Sequence, residues 1–439
     1  MIHLDNPTVH ALLSGIAFPD MALVRQRLER SFLQDIPLTL AEEAARVGLN
    51  IRVQPGQNVA IAVGSRGIDR LAQVIRSLCD LVHGLGARPF IVSAMGSHGG
   101  ATTEGQAQVL AGLGVTEQAM GATLRIGMAT TRLGTSDLGM PVFLDSLAAK
   151  ADHLIVVNRI KAHTKFKARV ESGLIKMLAV GLGNDQSARL VHKLAPTHGM
   201  FALINAASRV ILERGNLLCG VGLVENGLGR LHTLRLLPPE DIMEQEPLLL
   251  TLAKRLAPKL PFDELDVLVV DEIGKDISGT GMDTNVTGRN RDILGDSTAT
   301  PRIKRIFVRD LSPGTAGNAL GIGFADVTTD RVIRKQDYAK TAINALTGLS
   351  PEKAALPLHL PTDRLALAAT LHTLGAIAPN KLRMARIKNT NCLEYLQVSS
   401  ALLDNAQTDL KILHPLQAMA FTGEDLSPFP KPDTGPDRT

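Results

Sequence analysis

Between Asn58 and about residue 230 the chain repeats one pattern: a short apolar run, a glycine turn, then apolar residues at helical spacing. Residues 58–63 (NVAIAV) end in Gly64-Ser65-Arg66-Gly67. Ile68, Leu71, Val74, Ile75, Leu78, Val82 and Leu85 follow, forming one face of an amphipathic helix. Residues 89–95 (PFIVSAM) end in a second turn, Gly96-Ser97-His98-Gly99-Gly100, and Thr103 to Gln106 reads as a capping box opening the next helix. Residues 153–157 (HLIVV) and 217–224 supply two more strands of the fully buried type. Strand, turn and helix in this alternation fold as a parallel α/β sheet.

A polar, proline-marked stretch at residues 257–264 (APKLPFDE) is the best domain boundary. Beyond it residues 267–270 start a new strand, a Gly- and Thr-rich loop covers 278–288, and another strand (305–308) and helices (338–346, 365–374) follow. A chain of 439 residues is long for one domain. The expected architecture is therefore two α/β domains with mostly parallel sheets and an interdomain cleft. Residues 1–260 would form the catalytic and cofactor-binding domain, and 261–439 the domain completing the cleft. The first ~55 residues read as partly helical and are open to packing onto either domain.

Composition narrows the function. Aromatic residues make up 3%, with no Trp and two Tyr, so neither a base-stacking platform nor a membrane-interface belt is available. No apolar run is long enough to span a membrane. A net charge of +4 is small for this length and suits a small anionic substrate rather than nucleic acid. Cys79, Cys219 and Cys392 lie far apart with no C-x-x-C spacing. That argues against a thiolate zinc site or an iron–sulfur cluster and fits a reduced, cytoplasmic protein. The first residues lack a secretory pattern, and the Pro- and Asp-rich tail after Ser427 is expected to fray.

Ligands of open α/β sheets bind beyond the carboxyl ends of strands, where helix N-termini present N–H groups to anions. The turns at 64–66 and 96–100 fall there, and each reads either as an anion contact or as a plain tight turn. Neither matches the dinucleotide or Walker fingerprint. His98 is suited to proton transfer at neutral pH, or to capping the helix after it. Residues 158–167 (NRIKAHTKFK) carry four cations around His163, an anion-binding loop or a solvated one. Lys176 lies in a mostly apolar run, where an amine becomes nucleophilic unless it snorkels to solvent. His192 sits alone on a helix, which makes it structural unless a metal's other ligands come from elsewhere.

Taken in order, Arg66, Gly96-Ser97-His98, His163, Ser172-Gly173-Leu174-Ile175-Lys176 and His192 resemble the nickel-dependent lactate racemase family. Its members show Arg in a turn after a strand, then G-[ST]-H, His, S-G-x-x-K and a further His. The sixteen-residue step from Lys176 to His192 also fits. The resemblance implies a racemase or epimerase of a 2-hydroxy acid that uses a nickel-pincer nucleotide. Lys176 would carry this cofactor through a thioamide, with Ser172, Gly173, Gly96 and Gly99 around it, and His192 would ligate the nickel. His98 and His163 would be bases on opposite sides of the substrate, with Arg66 beside them. Cofactor-biosynthesis enzymes are implied partners.

The chain departs from the family pattern in four places. The first turn lacks the family's Asp and Pro, Leu174 and Ile175 replace Gly and Arg, the separation from His163 to Lys176 is longer than in characterised racemases, and residues 278–289 offer no Gln or Lys for a substrate carboxylate. These changes point away from lactate itself as the substrate. Read without the resemblance, the same residues also allow a non-nickel isomerase or lyase using His98 and His163, or a non-catalytic anion- or nucleotide-binding protein.

Overall fold

Strand β1 (Met21–Gln26) is an apolar run that pairs on both sides with the far end of the chain. It lies antiparallel between the strands Tyr395–Ser399 and Leu410–Gln417. In the computed structural model, which describes residues 6–296, 298–405 and 409–430, this pairing decides the division of the chain. One unit is Glu29–Ala257; the other joins Met1–Leu28 to Pro258–Thr439. The sequence division at 260 is thus corrected at its N-terminal end. Residues up to Leu28 belong to the second unit because β1 completes that unit's sheet. Local periodicity shows the helices of this segment, but not a strand whose partners lie hundreds of residues away. Most of the tail expected to fray lies outside the described residues.

In chain order the strands of unit Glu29–Ala257 are β2 (Asn58–Val63), β3 (Arg88–Ser93), β4 (Thr123–Leu124), a hairpin of β5 (Thr130–Thr135) and β6 (Pro141–Asp145), β7 (His153–Arg159), β8 (Leu217–Glu225) and β9 (Leu231–Leu237). The main sheet has the order β4-β3-β2-β7-β8-β9 and is parallel except for β9. Alternate residues of β2 feed two separate cores: Val59, Ile61 and Val63 on one face, Ala60 and Ala62 on the other. The helix Leu71–Gly84 buries Leu71, Val74, Ile75, Leu78, Cys79 and Val82 against the first of these. Each such side chain contributes roughly 1.5–3 kcal/mol of burial. From β2 the chain winds through β3 to β4 on one side, then resumes with β7 and β8 on the other. The winding direction reverses between β2 and β7, the place where open α/β sheets form a ligand crevice.

The second unit holds β10 (Glu264–Ile273), β11 (Arg302–Leu311), β12 (Val327–Thr329), β13 (Leu358–Leu360), β14 (Met384–Ile387), β15 (Tyr395–Ser399) and β16 (Leu410–Gln417). Its sheet order is β13-β12-β11-β10-β14-β15-β1-β16. The five strands from β13 to β14 are parallel, and β15, β1 and β16 add antiparallel pairings. Both units are therefore α/β with mostly parallel sheets. Among the described residues no helix is long and apolar enough to cross a membrane.

Deleting residues 1–28 removes an interior strand and leaves β15 and β16 with unpaired edges. Limited proteolysis of that variant should cut within 258–430 and leave 29–257 resistant. Equal resistance of both regions would refute the assignment of β1.

Candidate active site

The carboxyl ends of β3, β2 and β7 lie side by side, and each leads into one of the candidate turns. After β2, the Ser65 hydroxyl is hydrogen-bonded to Nδ1 of His98, which follows β3. The turn bearing His98 is pinned from two directions. The Gly96 N–H donates to the Gly181 carbonyl at 3.1 Å. Gly99 has φ +65°, and a Cβ there would sit 2.6 Å from the carbonyl carbon of Gly105, so only glycine fits.

Gln106 is the third support, with a role different from the capping box expected of it. Thr102 caps the helix Thr103–Gly112 by accepting the Gly105 N–H at 3.1 Å. Gln106 is buried and turned inward. It accepts the Ser93 hydroxyl at 2.6 Å and donates to the carbonyls of Gly96 at 3.0 Å and His98 at 3.3 Å.

After β7 the backbone of Lys161 pairs with that of Ser172, through N–H···O contacts of 2.9 and 3.2 Å. This bridge closes the intervening residues into a loop and brings His163 opposite Lys176. Glu171, fully buried, organises the loop from inside: it accepts the N–H of His163 at 2.6 Å and of Ala168 at 3.3 Å, and pairs with Lys254 at 2.6 Å. The ring of His163 packs on Phe166 with centroids 4.4 Å apart. Its Nδ1 accepts the Lys165 N–H at 3.0 Å, and its Nε2 lies 2.7 Å from Nζ of Lys176. Burial, then the charges of Arg66 and Lys161, push the Lys176 amine down to about 8. Against an ordinary 10.5, this raises the neutral fraction at pH 7 roughly 300-fold.

The turn carrying Lys176 is held by two further groups. Asn158 donates from Nδ2 to the Gly173 carbonyl at 2.8 Å. Glu246 accepts the Ile175 N–H at 2.8 Å. This carboxyl is fully buried, and burial pushes it up to about 8 despite the N–H groups of Ile175 and Leu174. Sequence reasoning passed over it, yet its signal is visible: it shares the buried face of the helix Pro239–Leu256 with Ile242, Leu249, Leu250 and Ala253. Leu174 and Ile175, where the chain departs from the racemase pattern, are fully buried. A Cβ at Gly220 of β8 would sit 2.6 Å from Leu174, so that glycine makes room for it.

His192 lies on the helix Asn184–His198, one turn beyond Ala188 and on the same face. The Cβ of Ala188 is 3.4 Å from the position a Gly96 Cβ would take. The structure thus joins Ser65 with His98, and His163 with Lys176, and the charge of Arg66 acts on Lys176. In the basic loop Arg159 is paired with Glu225, and Lys167 donates to the His163 carbonyl at 2.7 Å. Among the described residues no three His, Cys, Asp or Glu side chains form a metal cluster.

Residues 34–199, which contain every one of these candidates except Glu246, match the family described as lactate racemase N-terminal domain. The fold is similar to that of the lactate racemase apoprotein from Thermoanaerobacterium thermosaccharolyticum, with a TM-score of 0.52 and 14% identity over 85% of this chain and 94% of that one. At this identity the likeness concerns the fold alone. No curated protein matches in sequence.

Two variants test the support of the Lys176 turn. In Gly173→Ala the new methyl collides with Oε1 of Glu246; thermal unfolding should show a loss of ~1–3 kcal/mol. Glu246 holds its proton in the folded chain up to about 8, whereas the unfolded chain releases it near 4.5. Its contribution to stability therefore falls as pH rises between those values. Glu246→Gln should flatten that part of the stability profile, and an unchanged slope would refute the assignment.

Proposed function

On the premise that the chain is a divergent lactate racemase-like protein, we propose that it racemises or epimerises a 2-hydroxy acid with a nickel-pincer nucleotide held on Lys176. The observation that carries this reading is the contact of Lys176 with His163 at the reversal point of a parallel sheet, beside the pair Ser65–His98.

The residues present fit the cofactor. Covalent attachment needs a nucleophilic amine, and burial together with Arg66 and Lys161 lowers the basicity of Lys176. Gly96, Gly99, Gly173 and Ser172 lie in the neighbouring turns, and close packing against Ala188, Gly105 and Glu246 bars larger side chains at the three glycines. A pincer nucleotide would bring its own carbon and sulfur donors, so one imidazole from the chain, His192, would suffice to hold its nickel. Such a group would supply reversible hydride acceptance at the substrate Cα.

The chain supplies binding and proton transfer. Arg66 attracts the substrate carboxylate. His98, oriented by Ser65, and His163 take and return the hydroxyl proton, one for each enantiomer, because the two enantiomers present their hydroxyls on different sides. The departures at 64–67, 174–175 and 278–289 favour a 2-hydroxy acid other than lactate.

The chain should be produced together with cofactor-making enzymes, then assayed by intact mass, nickel content and turnover of a 2-hydroxy acid panel. An adduct on Lys176, with nickel bound and turnover that falls ~10²–10⁴-fold in His98→Ala, is expected. Protein with neither adduct nor nickel overturns the proposal. Full turnover in Lys176→Ala would instead favour an isomerase or lyase that works through the two histidines without nickel.

A further inference from the structure

His163 and Lys176 cannot both keep their ordinary protonation in the contact they make. The backbone N–H of Lys165 can only donate, so Nδ1 of His163 accepts it at 3.0 Å. The proton of the neutral ring then sits on Nε2, directed at Nζ of Lys176 2.7 Å away. A lysine ammonium has three donors and no acceptor, so it would meet N–H with N–H. The neutral amine alone has the lone pair that this contact requires.

The surroundings act in the same direction. Burial strips away much of the water that would stabilise an ammonium, and Arg66 and Lys161 place positive charge near Nζ. The two nearby carboxyls are turned elsewhere: Glu171 to the N–H groups of His163 and Ala168 and to Lys254, Glu246 to that of Ile175. Opposing them is the Phe166 ring, whose centroid is 5.8 Å from Nζ, a weak attraction for a cation.

The consequence lies in His163. While Lys176 is a free amine, both ring nitrogens of His163 are engaged, Nδ1 by a backbone donor and Nε2 by the amine. Acylation changes this. Nζ attacks the acyl or thioacyl carbon of an activated donor and a C–N bond forms. The bond to the leaving group breaks, the leaving group departs with its electron pair, and one Nζ proton passes to solvent. The lone pair of the resulting amide or thioamide nitrogen is delocalised and accepts no hydrogen bond. Nε2 of His163 then loses the amine as acceptor, and its proton can be directed to the substrate side.

We infer that the Lys176–His163 hydrogen bond is an interlock: His163 is withheld from proton transfer while Lys176 is unmodified, and acylation of Lys176 releases it. This rests on reading Lys176 as the attachment point, but its test needs neither nickel nor turnover.

The full cofactor-free chain is treated with limiting acetic anhydride at pH 6 to 10, acetylation is read residue by residue by peptide mass, and exchange of the histidine ring N–H protons with solvent is read by NMR. Lys176 acetylation should follow a midpoint near 8, and in His163→Phe that midpoint should move upward. Solvent exchange of the His163 Nε2–H should be at least about tenfold faster in Lys176-acetylated chains and in Lys176→Arg, which offers no acceptor. His98 serves as the internal control and should not change. Equal His163 rates with and without acetylation overturn the interlock, as does a folded chain whose Lys176 stays unreactive throughout the pH range. Absence of a nickel adduct in the co-expression experiment would instead strike the proposed function and leave the His163 rates to be judged separately.

Discussion

Burial of β2, β3 and β7 on both faces is the constraint on which the rest depends. Residues such as Val59 and Ala60 alternate between two cores, and neither face of these strands reaches water. Polar groups are consequently confined to the strand ends. Where the winding reverses between β2 and β7, three such ends converge, and the titratable side chains of the first unit's turns gather there. The accumulation of His98, His163, Lys176 and Arg66 in one region follows from a packing requirement before any chemistry is considered.

Two buried carboxyls then set the geometry of that region in different ways. Glu171 is matched by Lys254 and two N–H groups, and it shapes the loop that presents His163. Among the described residues Glu246 accepts N–H donors and pairs with no cation, so burial raises it to about 8. It braces the turn from which Lys176 projects. The same residue type therefore acts once as an ion-paired organiser and once as a group burial drives towards its neutral form, and the difference lies in the partner each one meets.

The strands and helices of residues 58–225 were legible because their periodicity is local: the spacing of Leu71, Val74, Ile75, Leu78 and Val82 is the buried face of one helix. The order of the His and Lys residues was legible for the same reason, since it needs only the linear sequence. Gln106 was misread as a capping residue because Thr102 and Thr103 offer equivalent local signals, and only the inward turn of Gln106 separates them. β1 was invisible because its partners lie at the opposite end of the chain. Leu174 and Ile175 looked like defects in a motif, whereas in the folded chain they are core residues accommodated by Gly220.

The sequence by itself determined the α/β class, the parallel winding of the first unit and the set of side chains available for chemistry. All of these follow from hydrophobic spacing and turn residues within a few tens of positions. Tertiary structure alone decided which of those side chains touch. Ser65 meets His98 because β2 and β3 are neighbours, and His163 meets Lys176 because Lys161 and Ser172 pair. Tertiary structure also decided their proton states. The tautomer of His163 and the weakened basicity of Lys176 depend on a backbone N–H, on buried area and on charges that no linear spacing specifies.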